Sequence, residues 1–193
     1  MYCNICYDEG VIIERTYMRN EEQYPTLALS WQAQQTIYAD LVARPQIEAC
    51  GVLFGSQEHN ESGESVLRWH IENVVPLRNS VNSPVFFEFD PAELLQVEMQ
   101  HSEPIVGVYH SHPTGYARAS STDRQNMQRV NQEQLIPWCW LIVCGPFDSA
   151  FAQMVEQGTL PGKRMIAYYH HPEPDGPGLA KLNVELSQRH REK

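Results

Sequence analysis

Positive charge, long apolar runs and paired cysteines are all scarce in this chain. Lysine and arginine number 14 against 24 aspartate and glutamate, a formal net charge of -10. A duplex nucleic-acid binder needs a basic face to neutralise phosphates, so the balance argues against that partner. It argues against an anionic membrane surface for the same reason. No apolar run reaches the length that spans a bilayer. The longest, 135–145, is interrupted by Pro137 and reads as a buried strand. Residues 1–10 carry Asp8 and Glu9 and no basic start followed by an apolar core. No secretory signal is read there, and the expected compartment is the cytoplasm.

The five cysteines are Cys3, Cys6, Cys50, Cys139 and Cys144. An odd count without a signal argues against a disulfide scaffold. Cys50, Cys139 and Cys144 lie in apolar stretches and read as buried thiols. Cys3 and Cys6 make a C-x-x-C, but no second one follows, and a structural zinc site wants four ligands. Several hydrolase signatures are missing too. No G-x-S-x-G and no helical H-E-x-x-H is present, and the P-C-x-x-C of zinc deaminases is absent.

The chain is 193 residues long, with 42% hydrophobic and 20% charged residues, which suits one globular domain with extensions. Residues 1–25 read as an N-terminal extension with a short strand at 11–14. A strand at 26–30 leads through a Ser30 cap into a helix over 31–42, stopped by Pro45. Strands follow at 48–55 and 66–76, joined by the polar loop 56–64. After a second polar loop, 77–83, residues 85–89 are strand-like and 91–101 helical, with Pro91 in the first turn. Residues 105–112 form a strand, 121–131 a helix, and 137–144 a strong β-run. Further strands are expected at 150–156, 164–169 and 182–186, with 172–178 as a linker. This order predicts an α/β fold, a single domain with a curved mixed β-sheet flanked by helices.

Chemistry concentrates at the end of strand 105–112. His110-Ser111-His112-Pro113 is followed by Ser120 and Asp123. Residues two apart on a strand share a face, so His110 and His112 can address one ion. Asp123 sits at a helix start and can complete a His-His-Asp set. Three protein ligands leave one tetrahedral position for water, the catalytic arrangement of zinc. Each fragment has a blander reading as well. Histidines two apart arise by accident, and Ser120-x-x-Asp123 writes a helix capping box without any metal. Asp123 can also serve both ends, since cap and ligand place it in the same turn. His59, His70 and His101 read as surface residues, and adjacent His170 and His171 face opposite ways.

Taken together, His-Ser-His-Pro with ten residues between His112 and Asp123 resembles the JAMM motif, H-x-H-x(10)-D, of the MPN+ metalloproteases. That family also has an upstream glutamate at the start of a strand after the first helix. Glu48, in Glu48-Ala49-Cys50-Gly51-Val52-Leu53, occupies that place. The resemblance covers about residues 26–170 and favours prokaryotic-type JAB domains. Residues 1–25 and 171–193 fall outside it as extensions. One departure is Ala119, where many bacterial members have proline before the motif serine.

The resemblance implies an MPN (JAB) domain of cytidine-deaminase-like fold, one catalytic Zn2+ and a metallopeptidase or isopeptidase activity. His110, His112 and Asp123 would hold the metal. Glu48 would move the proton from water to the leaving amine, and Ser120 would donate to the developing oxyanion. It implies as partner a ubiquitin-like protein or a β-grasp sulfur carrier with an extended, glycine-ended tail. Deconjugation, precursor processing and sulfur-carrier processing stay open, as does a non-catalytic scaffold. The tail is expected to add beside Asn79–Glu88, where Val85-Phe86-Phe87 forms an apolar run.

Overall fold

The computed structural model describes residues 25–158, 164–171 and 178–188. The strand expected at 11–14, Cys3 and Cys6 lie outside them. Among the described residues, seven strands and four helices follow in the order β1 (Thr26–Leu29), α1 (Trp31–Ala43), β2 (Cys50–His59), β3 (Val66–Leu77), α2 (Pro91–Gln100), β4 (Ile105–His112), α3 (Ser121–Gln128), β5 (Cys139–Cys144), α4 (Ser149–Glu156), β6 (Met165–His170) and β7 (Leu179–Leu186). A π-type turn, Arg129–Glu133, continues α3.

The sheet is mixed and curved, as expected, and it closes on itself in the order β1-β3-β2-β4-β5-β6-β7. Closure comes from β7 pairing in parallel with β1 while also pairing antiparallel with β6. The pair β4–β5 is parallel, with His112 opposite Cys144 at the C-terminal end. Alternation along the strands feeds two cores. In β5, Cys139, Leu141 and Val143 pack with Ile37 and Leu41 of α1 and Phe151 of α4. Trp140, Ile142 and Cys144 point the other way, toward Met127 of α3.

Side-chain caps start each helix. The Ser30 hydroxyl accepts from the Ala33 N–H at 3.1 Å, and Asp90 accepts from Ala92 and Glu93. Asp148 accepts from the Phe151 N–H at 3.0 Å, and this cap decides a segment that sequence pattern misjudges. Residues 150–156, expected as a strand, are the helix α4. Their apolar positions also fit a helical stripe, and Phe151 is buried against Tyr38 and Phe147.

Two other expectations shift. The polar run Ser56–His59 is not loop but the outer half of β2, paired with His70 to Val66 of β3. Residues 85–89 are not a strand: the segment between β3 and α2 has a single isolated bridge, Asn79 to Phe89. β7 lies within the stretch read as a C-terminal extension and is hydrogen-bonded into the sheet on both sides. Among the described residues, no helix is long and apolar enough to cross a membrane.

Candidate active site

The site forms where β4 ends. His110 and His112 lie on the face that α3 covers, and the intervening Ser111 turns to the opposite face. All three are buried, His110 completely. The two Nε2 atoms face each other at 3.1 Å. Asp123, in the first turn of α3, places Oδ1 3.3 Å from His110 Nε2 and Oδ2 3.4 Å from His112 Nε2. Asp123 is only 6% exposed.

Each ligand candidate is oriented by a different device. His112 donates from Nδ1 to the Tyr116 carbonyl at 2.7 Å. That bond keeps a proton on Nδ1, so that when the ring is neutral its lone pair is on Nε2, toward Asp123. His110 Nδ1 is buried with no hydrogen-bond partner. Its ring is held instead by stacking on Phe87, centroids 4.7 Å apart and planes at 25°. Asp123 is set by a reciprocal capping box. Its Oδ2 accepts from the Ser120 N–H at 2.7 Å, while the Ser120 Oγ accepts from the Asp123 N–H at 3.1 Å. Cap and cluster therefore use the same carboxylate at once.

Glu48 precedes β2 by two residues, just outside the strand expected to carry it. Antiparallel register continues past the pair Cys50–His110, and Ser111 N–H donates to the Ala49 carbonyl. This brings Glu48 opposite His112, with Oε1 4.0 Å from His112 Nε2. Ser111 also accepts the Ala49 N–H on Oγ at 2.9 Å. Behind Ser111, Tyr109 donates from its hydroxyl to Asp40 of α1 at 2.7 Å. Arg44 holds the same Asp40 and donates to the Leu77 and Cys50 carbonyls. Gly51 makes room for this: a Cβ there would sit 2.6 Å from the Tyr109 ring.

Burial and charge set the protonation states. Burial pushes Glu48 up to about 7, with the His112 ring pulling it down and Asp123 pushing it further up. Asp123 is held well below the usual carboxylate range: hydrogen bonds and charge from both histidines outweigh its burial. Burial lowers His110 despite Asp123. His112 is raised, because Asp123, the Tyr116 carbonyl and Glu48 outweigh its burial. Cys50, Cys139 and Cys144 are free, buried thiols, and burial raises all three out of the nucleophilic range.

The donor set fits a metal. His110, His112 and Asp123 each offer one ligand atom, all within 4.8 Å of one another. A tetrahedral ion bound at about 2.0–2.2 Å by nitrogen and oxygen separates its donors by about 3.3–3.5 Å. The two nitrogens, 3.1 Å apart, come near that spacing, and the carboxylate lies beside both rings, with Oδ1 3.3 Å from His110 and Oδ2 3.4 Å from His112. A cation held here would take the place of the protons that otherwise bridge the two Nε2 atoms to the Asp123 carboxylate.

Sequence pattern pointed to His110, His112, Asp123 and Ser120, and the family resemblance added Glu48; the structure places all five at this end of β4. The sequence reading missed Ser111, Asn79 and the Tyr116 carbonyl, and read Phe87 as part of the tail-receiving run rather than as the ring that stacks on His110. Ser111 alone left a signal, since a polar residue between the two histidines must face the opposite core.

Residues 31–157 match the family model described as prokaryotic homologs of the JAB domain. Over 107 residues the chain is 34% identical to the desampylase of Pyrococcus furiosus, covering 53% of this chain and 64% of that one. Over 138 residues it is 29% identical to the AMSH-like protease of Mus musculus, covering 70% of this chain and 30% of that one. The chain thus spans less than two thirds of these curated relatives. A Desulfitobacterium hafniense protein of known solution structure superposes with a TM-score of 0.58 at 21% identity, covering 85% of this chain and 94% of that chain. That likeness is one of fold.

Proposed function

This chain belongs to the prokaryotic JAB-domain family, and from that premise we propose that it is a zinc-dependent isopeptidase. Its substrate is the amide bond that follows the glycine-ended tail of a ubiquitin-like protein. The observation that carries the reading is a division of labour among buried groups. Three donors converge on one point, while a fourth carboxylate, Glu48, stays 4.0 Å from the nearest histidine nitrogen. Relatives named desampylase and AMSH-like protease support the reaction class.

When bound by His110, His112 and Asp123, zinc supplies Lewis acidity that ionises water near neutral pH and polarises a carbonyl. Glu48 takes the water proton as the oxygen–carbon bond forms. It returns that proton to the amine nitrogen as the carbon–nitrogen bond breaks. A carboxyl raised toward neutrality by burial suits both halves of that transfer. Ser120 spends a lone pair on the Asp123 N–H, and a hydroxyl keeps its proton when it accepts. That proton is therefore available to the developing oxyanion.

The tail lies along 79–88. Val85 is 71% exposed and Phe86 38%, whereas Phe87 turns inward onto His110. Replacing Val85 and Phe86 with aspartate should raise KM, and an unchanged KM rejects this placement. Phe87 is unsuitable for that test, because its loss disturbs His110.

The full chain is incubated with linear fusions, lysine conjugates and sulfur-carrier precursors bearing glycine-ended tails, with and without chelator. Mass spectrometry should show cleavage after the terminal glycine, lost with chelator. A protein that purifies without stoichiometric zinc and ignores chelators contradicts the proposal.

A further inference from the structure

The segment between β3 and α2 is held by one side chain. Asn79 is completely buried. Its Nδ2 donates to the Glu48 carbonyl at 3.0 Å and the Phe86 carbonyl at 2.9 Å, with a longer contact of 3.5 Å to the Ser83 carbonyl. Its Oδ1 accepts from the Val81 N–H at 3.2 Å and the Glu88 N–H at 3.3 Å. A carboxamide has two N–H donors and two acceptor lone pairs, and here all are engaged. Meanwhile the Glu48 N–H donates to the Ser83 carbonyl at 2.9 Å. The segment thus grips the Glu48 residue by both its N–H and its C=O. It also touches the metal cluster, through Phe87 on His110. Ser111 grips the next residue, Ala49, by both of its backbone groups.

We propose that Asn79 is a positioning residue that ties Glu48 to residues 80–88, so that the segment receiving the substrate tail also sets the proton-transfer group. This rests on the isopeptidase reading above. A Glu48 side chain carried on a backbone held at every polar group keeps its reach to the reacting proton. A backbone released on one side does not. Strain or displacement of residues 80–88 by a bound tail passes to Glu48 through the carboxamide.

Two variants of the zinc-loaded full chain test it. Asn79→Asp is nearly isosteric and keeps acceptors for the Val81 and Glu88 N–H groups, but loses the donors to Glu48 and Phe86. Asn79→Ala loses both. A misplacement near 1 Å costs on the order of 10²-fold in rate, so kcat should fall about tenfold to hundredfold in both variants, with KM changed less than about threefold. Zinc content should be unchanged. In a Glu48→Gln background, residual turnover should fall no further when Asn79 is also replaced. Amide hydrogen exchange at Glu48 should accelerate at least tenfold in both variants, while the Val81 and Glu88 amides stay protected in Asn79→Asp alone. An intact kcat, an equal loss in the Glu48→Gln background, or a Glu48 amide that stays protected overturns the proposal. If the wild-type chain cleaves nothing, the isopeptidase reading falls, and the exchange measurement still decides whether Asn79 holds Glu48 to the segment.

Discussion

Two substitutions at Asp123 separate capping from metal binding. The carboxylate accepts the Ser120 N–H and approaches both histidines. Asp123→Asn keeps the shape and an oxygen for Ser120 but removes the charge. Asp123→Ala removes both. Loss of a capping interaction costs about 0.5–2 kcal/mol. At about 2–4 °C per kcal/mol for a domain of this size, metal-free Asp123→Ala should melt about 1–8 °C below metal-free Asp123→Asn. Zinc adds a second, independent effect. A ligand at a hundredfold its Kd stabilises by about 2.7 kcal/mol, or about 5–11 °C by the same conversion. The wild-type protein should show that gain, and both variants should lose most of it. Calorimetry in chelator and in defined free zinc measures the four differences. If Asp123→Asn gains as much from zinc as wild type, the carboxylate is not a ligand. If the two metal-free variants melt alike, the capping box contributes nothing.

Other outcomes follow from the same geometry. Glu48→Gln should retain stoichiometric zinc and lose about 10²–10⁴ in turnover, the worth of general acid–base catalysis; near-normal cleavage means the base is wrongly assigned. A proton acceptor must be ionised, so kcat should rise with pH through an acid limb and then flatten. Burial, offset by the His112 ring and reinforced by Asp123, puts Glu48 at about 7, and a cation in the cluster favours its charged form. The limb therefore falls at or below neutrality, and a kcat–pH profile with no acid limb, or one still climbing well above neutrality, contradicts this. Ser111→Ala should leave the Ala49 N–H buried without its acceptor, at a cost of about 1–3 kcal/mol in urea unfolding; an unchanged midpoint denies Ser111 its part in holding the residues that lead from Glu48 into β2.

The parts of the site that could be read from sequence are those fixed by local periodicity. β4 has the expected bounds because a run of apolar residues ends in His-Ser-His, and alternation then puts both histidines on one face. Asp123 was readable twice, as cap and as the third member of the buried cluster. Glu48 was not readable from periodicity: its place opposite His112 depends on register between strands far apart in sequence, and it was found through resemblance. The Tyr116 carbonyl was invisible, since every residue has one. Asn79 looked like any loop asparagine, and only tertiary structure shows five backbone groups arranged around it. Residues 150–156 failed for a different reason. Ala-Phe-Ala-Gln-Met-Val-Glu alternates well enough for a strand, and the Asp148 cap that commits it to helix lies outside the pattern. At Ser56–His59 polarity suggested a loop, but a hairpin that reaches beyond the core carries polar residues on both faces.

The seam between β1 and β7 bears on which fragment of the chain can exist alone. Thr26 pairs with Asn183 and Leu29 with Leu186. The stretch that matches the family, 31–157, contains every residue assigned to the chemistry yet neither side of that seam, nor β6. Cut to those bounds, the chain would bare the outer edges of β3 and β5 as rows of unpaired N–H and C=O groups. Such edges recruit other chains and aggregate. The unit that defines kinship and the unit that closes its own sheet are therefore different, and any shortened version should keep both strands of the seam.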